Sequence, residues 1–205
     1  MDLLLIRHGE SEAYVDGQPF DLVDGQGDPP LSADGQEQAK RVCARLAGAG
    51  VEAIYVSTLR RTAQTATPLA EQTGLELQTE ADLREVHLGD WEGGLFRKMV
   101  AENHPIMQRV GAEERWDLIP GAEPAADFAA RVRGVIARMA ASHPGERVAA
   151  FTHGGFIGQA LAQASGSRSF AFAGAANASI SRLVITEQMW IVRTYNDTAH
   201  LDGVG

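Results

Sequence analysis

Three short polar stretches hold the residue types that could do chemistry. Arg7-His8-Gly9-Glu10 follows a run of leucines, Arg60-Arg61 opens a helical-looking segment, and His153-Gly154-Gly155 follows RVAAFT. An imidazole is a nucleophile or a general base near neutral pH. A guanidinium beside a helix start makes an anion site suited to phosphate or carboxylate. A glycine after each histidine lets the backbone turn and approach a ligand without a Cβ clash. Each piece alone also has a plainer reading, the strand-end histidine as a structural hydrogen-bonder and the arginine pair as a solvated face. A metal site at His8 and His153 is disfavoured, because Arg7 and Arg61 would repel a divalent cation and no HxH or HExxH spacing is present. No metal and no cofactor are therefore expected.

The elements that must position these groups read as alternating strands and helices. Leu3 to Ile6, Val51 to Val56 and Arg147 to Thr152 are short apolar runs suited to strands covered on both faces, with a weaker strand over 76–79. Ser32 reads as the N-cap of a helix with Ala39, Val42, Cys43 and Leu46 on its apolar face. LRRTAQTATPLAEQ reads as a second helix, which Pro68 should kink or divide. Residues 95–120 read as one short helix and irregular chain. A long helix covers roughly Pro124 to Ala141 with Phe128, Val132, Val135, Ile136 and Met139 on one side, and another covers Gly155 to Ala164. Residues 14–30, rich in Gly, Asp, Gln and Pro, read as a long loop of the kind that often carries function. Ser179 to Ile185 and Trp190 to Tyr195 flank a short turn and could pair as an antiparallel hairpin. The expectation is a single α/β domain over 1–205: a three-layer α/β/α sandwich, mainly parallel in its central sheet, with an antiparallel C-terminal strand or hairpin. In such sheets ligands bind beyond the carboxyl ends of the strands, where all three polar stretches fall.

Composition bounds the partners. The 205 residues carry 18 Lys and Arg against 27 Asp and Glu, a net charge of −9, and no basic run. No electrostatic footprint for nucleic acid or an anionic membrane is present, so any anion must be held by a local cluster. The one cysteine, Cys43, excludes an internal disulfide, and no apolar run approaches the ~20 residues of a membrane span. A cytoplasmic protein is the expectation. Oligomeric state is left open, with a homodimer among the outcomes.

Read in order, these stretches resemble the histidine phosphatase superfamily, the phosphoglycerate mutase-like enzymes. LLLIRHGES at 3–11 resembles its signature, and DPPLSADGQEQA at 28–39 the segment after its active-site loop. STLRRTAQTA at 57–66 is similar to its second arginine motif, LREVHLGDWEG at 83–93 to its acidic motif, FTHGGFI at 151–157 to its second histidine motif, and YNDTAHL at 195–201 to its usual ending. The resemblance covers nearly the whole chain. It implies that His8 is the nucleophile, that Arg7, Arg61, His153 and Gly154 bind phosphate, and that Glu85 donates the proton. Arg61 rather than Arg60 takes the pocket role, since it directly precedes the Thr-Ala-Gln-Thr stretch; Arg60 reads as a surface residue. Glu85 is preferred over Glu92, which faces solvent or supports the loop.

Those roles imply a mechanism without metal. A neutral His8 imidazole attacks phosphorus in line and forms a phosphohistidine, while Arg7 and Arg61 disfavour its protonation and spread over the phosphoryl oxygens. The negative charge of a bound phosphate dianion favours the protonated carboxyl of Glu85, which would then serve the leaving alkoxide. The chain departs from the family pattern where Ala13-Tyr14 replace an asparagine that helps hold phosphate, and where Gly121-Ala122-Glu123 replace a Gly-Glu-Ser motif. Tyr14 could donate its hydroxyl or line the substrate site, and Gln26-Gly27 resemble the loop pair that reaches substrate. Trp91 and Trp116 could line an entrance or cap a surface cleft. Arg97-Lys98 read as a solvated helix face more than as anion guidance, and His104 and His143 as helix-end or loop residues.

A metal-independent phosphomonoesterase acting on a small phosphorylated substrate is the leading reading. Phosphoglycerate mutase-type transfer is the alternative. Only about 68 residues separate Glu85 from His153, without the arginine-pair and proline-rich insertion by which the mutases grip a carboxylate. A non-catalytic binding module is the third reading, against which stands the presence of His8, Arg61, His153 and Glu85.

Overall fold

The computed structural model describes residues 1–202; the last three residues of the expected domain, 203–205, lie outside them. Its centre is β1 (Asp2–Arg7), whose Leu3, Leu4, Leu5 and Ile6 are all at most 6% exposed. The run is apolar throughout because both faces are covered. Leu3 and Leu5 meet α5 (Ala125–Ser142) and α6 (Gly154–Ser165), through Phe128, Val132, Ile136, Phe156 and Leu161. Leu4 and Ile6 meet α1 (Ala33–Leu46) and α2 (Arg60–Thr73), through Val42, Leu46, Ala66 and Leu69. Each leucine buried this way stabilises the fold by roughly 1.5–3 kcal/mol relative to an exposed one.

The remaining strands are β2 (Leu22–Val23), β3 (Gln26–Gly27), β4 (Ala53–Val56), β5 (Leu77–Thr79), β6 (Arg147–Thr152), β7 (Ile180–Ile185) and β8 (Trp190–Asp197). The six-stranded sheet runs β5-β4-β6-β1-β7-β8. Its first four strands are parallel, and β7 and β8 are antiparallel additions, β7 beside β1 and β8 at the edge. The expected three-layer α/β architecture with an antiparallel closing hairpin is thus the one observed. Among the described residues no helix is long and apolar enough to cross a membrane.

Several local expectations hold. The Ser32 side chain accepts from Gly35 N at 3.1 Å and caps α1. The five residues chosen for the inner face of α5 are all buried. Two expectations are corrected. Pro68 does not divide α2, which runs unbroken from Arg60 to Thr73. Ala66 and Leu69 on either side of it are fully buried against the sheet, and that packing outweighs the one backbone bond that proline lacks. The stretch 95–120 holds two short helices, α3 (Leu95–Ala101) and α4 (Pro105–Glu113), followed by a 3-10 turn at Trp116–Leu118. A separate cluster around Trp91, Val110 and Ile119 fixes them, so their order comes from tertiary packing rather than from helix length.

Candidate active site

Adjacent parallel strands bring the two histidines together. Arg7 of β1 pairs with Thr152 of β6, so His8 and His153, the next residue on each strand, emerge side by side with ring centroids 5.1 Å apart. The His8 backbone N–H donates to Thr152 O at 3.0 Å. Just beyond, a Cβ on Gly9 would lie 2.6 Å from the Gly35 carbonyl oxygen, so the histidine turn packs on the first turn of α1 only because glycine occupies both sides. Beyond the carboxyl end of β4, Ser57 and Arg61 face the same point.

The His8 ring has a defined tautomer. Its Nδ1 lies 2.7 Å from the Gly9 carbonyl oxygen, an acceptor only, so Nδ1 carries the hydrogen and Nε2 keeps a lone pair. Burial, then the charges of Arg61 and Arg7, hold the His8 pKa well below the usual histidine value. Arg61 is 8% exposed; its guanidinium donates to Gly27 O at 3.0 Å, and burial lowers its pKa to about 10, which leaves it charged at neutral pH. The Arg7 guanidinium donates to Ala175 O at 2.5 Å, while its buried Nε has no partner among the described residues.

His153 is fully buried, beneath Arg61. Its Nδ1 can only accept from Arg61, 3.3 Å away, so its Nε2–H points to Ser57 Oγ at 2.9 Å. The Thr62 hydroxyl donates to Leu59 O at 2.8 Å, which leaves the Ser57 hydroxyl to donate to Thr62 Oγ1 at 3.1 Å. This chain of donors fixes the ring. Burial first, then Arg61 and His8, hold the His153 pKa well below the usual value.

Glu85 forms the opposite wall. Its Oε1 accepts from Val86 N at 2.9 Å, and its Oε2 from Gly155 N, at the amino end of α6, at 3.0 Å. A cavity of about 390 Å³ joins these groups, lined by Arg7, His8, Arg61, Glu85, Arg97 and Asn177 among others. Among the described residues no three His, Cys, Asp or Glu side chains converge as a metal set.

Arg7, His8, Arg61 and Glu85 thus meet around one cavity. Of the other expected residues, His153, Gly154, Gln26 and Tyr14 lie elsewhere. His153 lines no part of the cavity and touches Arg61 instead. Gly154 opens α6 beside Arg7 and lines a neighbouring cavity. Gln26 is 4% exposed and donates to Glu85 O at 2.9 Å, so it holds the acid's backbone rather than reaching into the cavity. Gly27 does line it, while its carbonyl receives Arg61. Tyr14 stands outside, edge-on to Phe20 at 6.1 Å and behind Gly94, because Phe20 fills the space between it and His8's cavity. Arg60 is a surface residue paired with Asp28, and Glu92 supports the loop by accepting from Leu88 N and Gly27 N.

Four contributors escaped the sequence reading. Asp28, 4% exposed, accepts from Arg60 at 2.7 Å and lies 3.9 Å from Arg61. Arg97 donates to Glu12 O and Ser11 Oγ at the rim, and Asn177 Nδ2 donates to His8 O at 3.1 Å. A Cβ on Gly155 would collide with Glu85 Oε1. Two carried a visible signal: Gly155 as the second glycine after His153, and Arg97 in the Arg97-Lys98 pair that reads as a solvated helix face more than as anion guidance.

A lone-pair imidazole among guanidiniums, faced by a carboxyl, thus stands on the carboxyl edge of a mainly parallel sheet, an arrangement suited to phosphoryl transfer. The family model described as histidine phosphatase superfamily (branch 1) matches residues 3–198, and the chain belongs to that family. It is 32% identical to a metal-independent phosphoserine phosphatase of Arabidopsis thaliana, over 100% of this chain and 84% of that one. It is 30% identical to a probable phosphoglycerate mutase GpmB of Yersinia enterocolitica, over 98% and 95%. Among solved structures it is similar to a mycobacterial glucosyl-3-phosphoglycerate phosphatase complexed with VO3, with a TM-score of 0.80, 32% identity and coverage of 96% and 99%. The chain is therefore a phosphomonoesterase or mutase of the histidine phosphatase type.

Proposed function

We propose that this enzyme is a metal-independent phosphomonoesterase that works through a phosphohistidine on His8, with Glu85 as proton donor. The observation that carries the reading is the His8 ring, with Nδ1–H committed to the Gly9 carbonyl and Nε2 left as a lone pair at low proton affinity. Nε2 attacks phosphorus and forms the N–P bond as the ester P–O bond breaks. The guanidiniums of Arg7 and Arg61 meet the charge that builds on the phosphoryl oxygens, each worth about 2.7–4 kcal/mol by comparison with other placed donors. Glu85 passes its proton to the leaving alkoxide, then as carboxylate takes one from the incoming water. Water breaks the N–P bond and returns His8 to its neutral form. His153 holds the Arg61 guanidinium in place, and Gln26 and Gly27 position Glu85 and Arg61.

The relatives' names divide between hydrolysis and mutase transfer. The short span of about 68 residues between Glu85 and His153, with no insertion to grip a glycerate carboxylate, supports hydrolysis of a small phosphorylated substrate. Phosphate release from p-nitrophenyl phosphate in excess EDTA, wild type beside His8→Ala, tests the proposal. Turnover by the wild type alone is expected. Retained turnover in the folded variant would overturn the nucleophile, and silence in both with 3-phosphoglycerate interconverted would make the enzyme a mutase.

A further inference from the structure

A second cavity, of about 250 Å³, adjoins the first and shares Arg7, Glu85, Leu88 and Phe96 with it. His8 lines only the first cavity; Glu85 lines both. An in-line displacement from His8 puts the leaving oxygen on the side of phosphorus away from the imidazole, and protonation requires that oxygen within hydrogen-bond reach of Glu85. The second cavity, on the far side of Glu85 from His8, is then open to the carbon attached to it.

That cavity has an apolar wall. Trp116 and Phe170 stand with ring centroids 4.8 Å apart and planes tilted by 37°, and Phe96 meets Trp116 at 6.0 Å. Its ionisable lining residues are Arg7 and Glu85, both already at the phosphate end; Gln159 and Ser169 supply neutral polar groups. A carboxylate or ammonium seated here would gain no oppositely charged partner beyond those two. The volume exceeds the ~150 Å³ of an apolar cavity that admits a benzene ring.

We propose that the natural substrate is the phosphomonoester of an uncharged alcohol with a flat apolar or aromatic face, seated against the wall that Trp116 and Phe170 form together. The inference rests on the phosphatase reading and names the substrate class of the same site. It also separates this enzyme from relatives named for phosphoserine or phosphoglycerate, whose substrates carry charge beside the ester.

The test compares kcat/KM for 2-phenylethyl phosphate, ethyl phosphate, O-phosphoserine and 3-phosphoglycerate, all with alkoxide leaving groups, with p-nitrophenyl phosphate as a general phosphatase control. The arylalkyl ester should exceed each of the other three alkyl esters by about tenfold or more, the scale at which apolar pockets discriminate. Trp116→Ala should narrow that ratio, mainly through KM. Ser169→Arg, at an exposed position that tolerates a long side chain, should shift the ratio toward the two carboxylate esters. Turnover of p-nitrophenyl phosphate without an arylalkyl preference would overturn the cavity assignment and leave the phosphatase reading standing. A ratio unmoved in both folded variants would also overturn it, and if Trp116→Ala does not fold, Ser169→Arg alone decides. No phosphate released from any ester would remove both readings.

Discussion

Gly155→Ala separates positioning of the acid from stability of the fold. The Gly155 N–H donates to Glu85 Oε2 at 3.0 Å, while a Cβ at the same residue would lie inside contact distance of Oε1 and 3.2 Å from Cδ. Restoring ordinary contact requires the carboxyl to retreat by about 1 Å, a misplacement that can cost on the order of 100-fold in rate. At 1.36 kcal/mol per tenfold, that is about 2.7 kcal/mol of transition-state stabilisation. The backbone of Gly155 has no positive φ and begins a helix, so alanine suits the fold and could add up to about 0.5–1 kcal/mol of stability. Activity should therefore fall while the thermal midpoint holds or rises. The loss should be largest for 2-phenylethyl phosphate, whose alkoxide needs a proton to leave, and small for p-nitrophenyl phosphate, whose phenolate does not. Steady-state kcat/KM on the two esters, beside a melting curve, makes the measurement. Equal losses on both esters would refute the proton-donor argument, and full activity on both would refute the steric one.

The depressed His8 pKa predicts that kcat/KM holds as pH falls through 6.5 and drops only well below it; an acid limb centred at 6.5 would contradict a buried neutral nucleophile. The same burial makes stability pH-dependent. His8 and His153 stay neutral when folded but protonate near 6.5 when unfolded, so the unfolded chain binds more protons below that pH and stability falls as pH falls. Between pH 6.5 and 5.5 the pair should cost about 2 kcal/mol in urea titrations, and replacing both with Asn should flatten that slope. Ser57→Ala deletes the acceptor of the His153 Nε2–H and frees the ring to switch tautomer. It should lower kcat about tenfold or more with KM little changed, in line with the roughly 1–3 kcal/mol of an unpaired buried donor. Ser57→Thr should restore it, and a loss confined to thermal stability would reduce Ser57 to a structural role.

What the sequence made legible follows from how local each signal is. Leu3 to Ile6 reads as a buried strand because every residue in it is apolar, and Arg7-His8 then falls at its carboxyl end. The inner face of α5 was legible because five apolar residues repeat at helical spacing. Pro68 misled because the strength of the packing around Ala66 and Leu69 is not written in their neighbours. The two-stranded hairpin of β2 and β3 did carry a local signal, Asp24-Gly25, with both residues at positive φ, inside a stretch read as loop. Tyr14 was placed at the site because it stands where the family has a phosphate-holding asparagine, and Gln26 because it resembles the loop pair that reaches substrate, whereas the fold turns Tyr14 behind Phe20 and spends Gln26 on a carbonyl. Asp28 and Asn177 approach the site only through chain reversals, and nothing in their own neighbourhoods announces it; Arg97 belongs to a pair read mainly as a solvated face, and the fold brings it to the cavity.

The central position of β1 has a kinetic side. Its partners, β6 and β7, lie far along the chain, with Asp2 paired to Arg147 on one side and to Val184 on the other. Contacts of such sequence separation fold slowly, since loop closure precedes any gain from them. During synthesis at roughly 5–20 residues per second, the 140 residues between Arg7 and Arg147 take about 7–28 s to emerge. For that interval the apolar run of β1 has neither strand neighbour, and His8 has no His153 beside it. His8, the proposed nucleophile, is made long before His153 and Gly155, so its surroundings are complete only once β6 and α6 have docked.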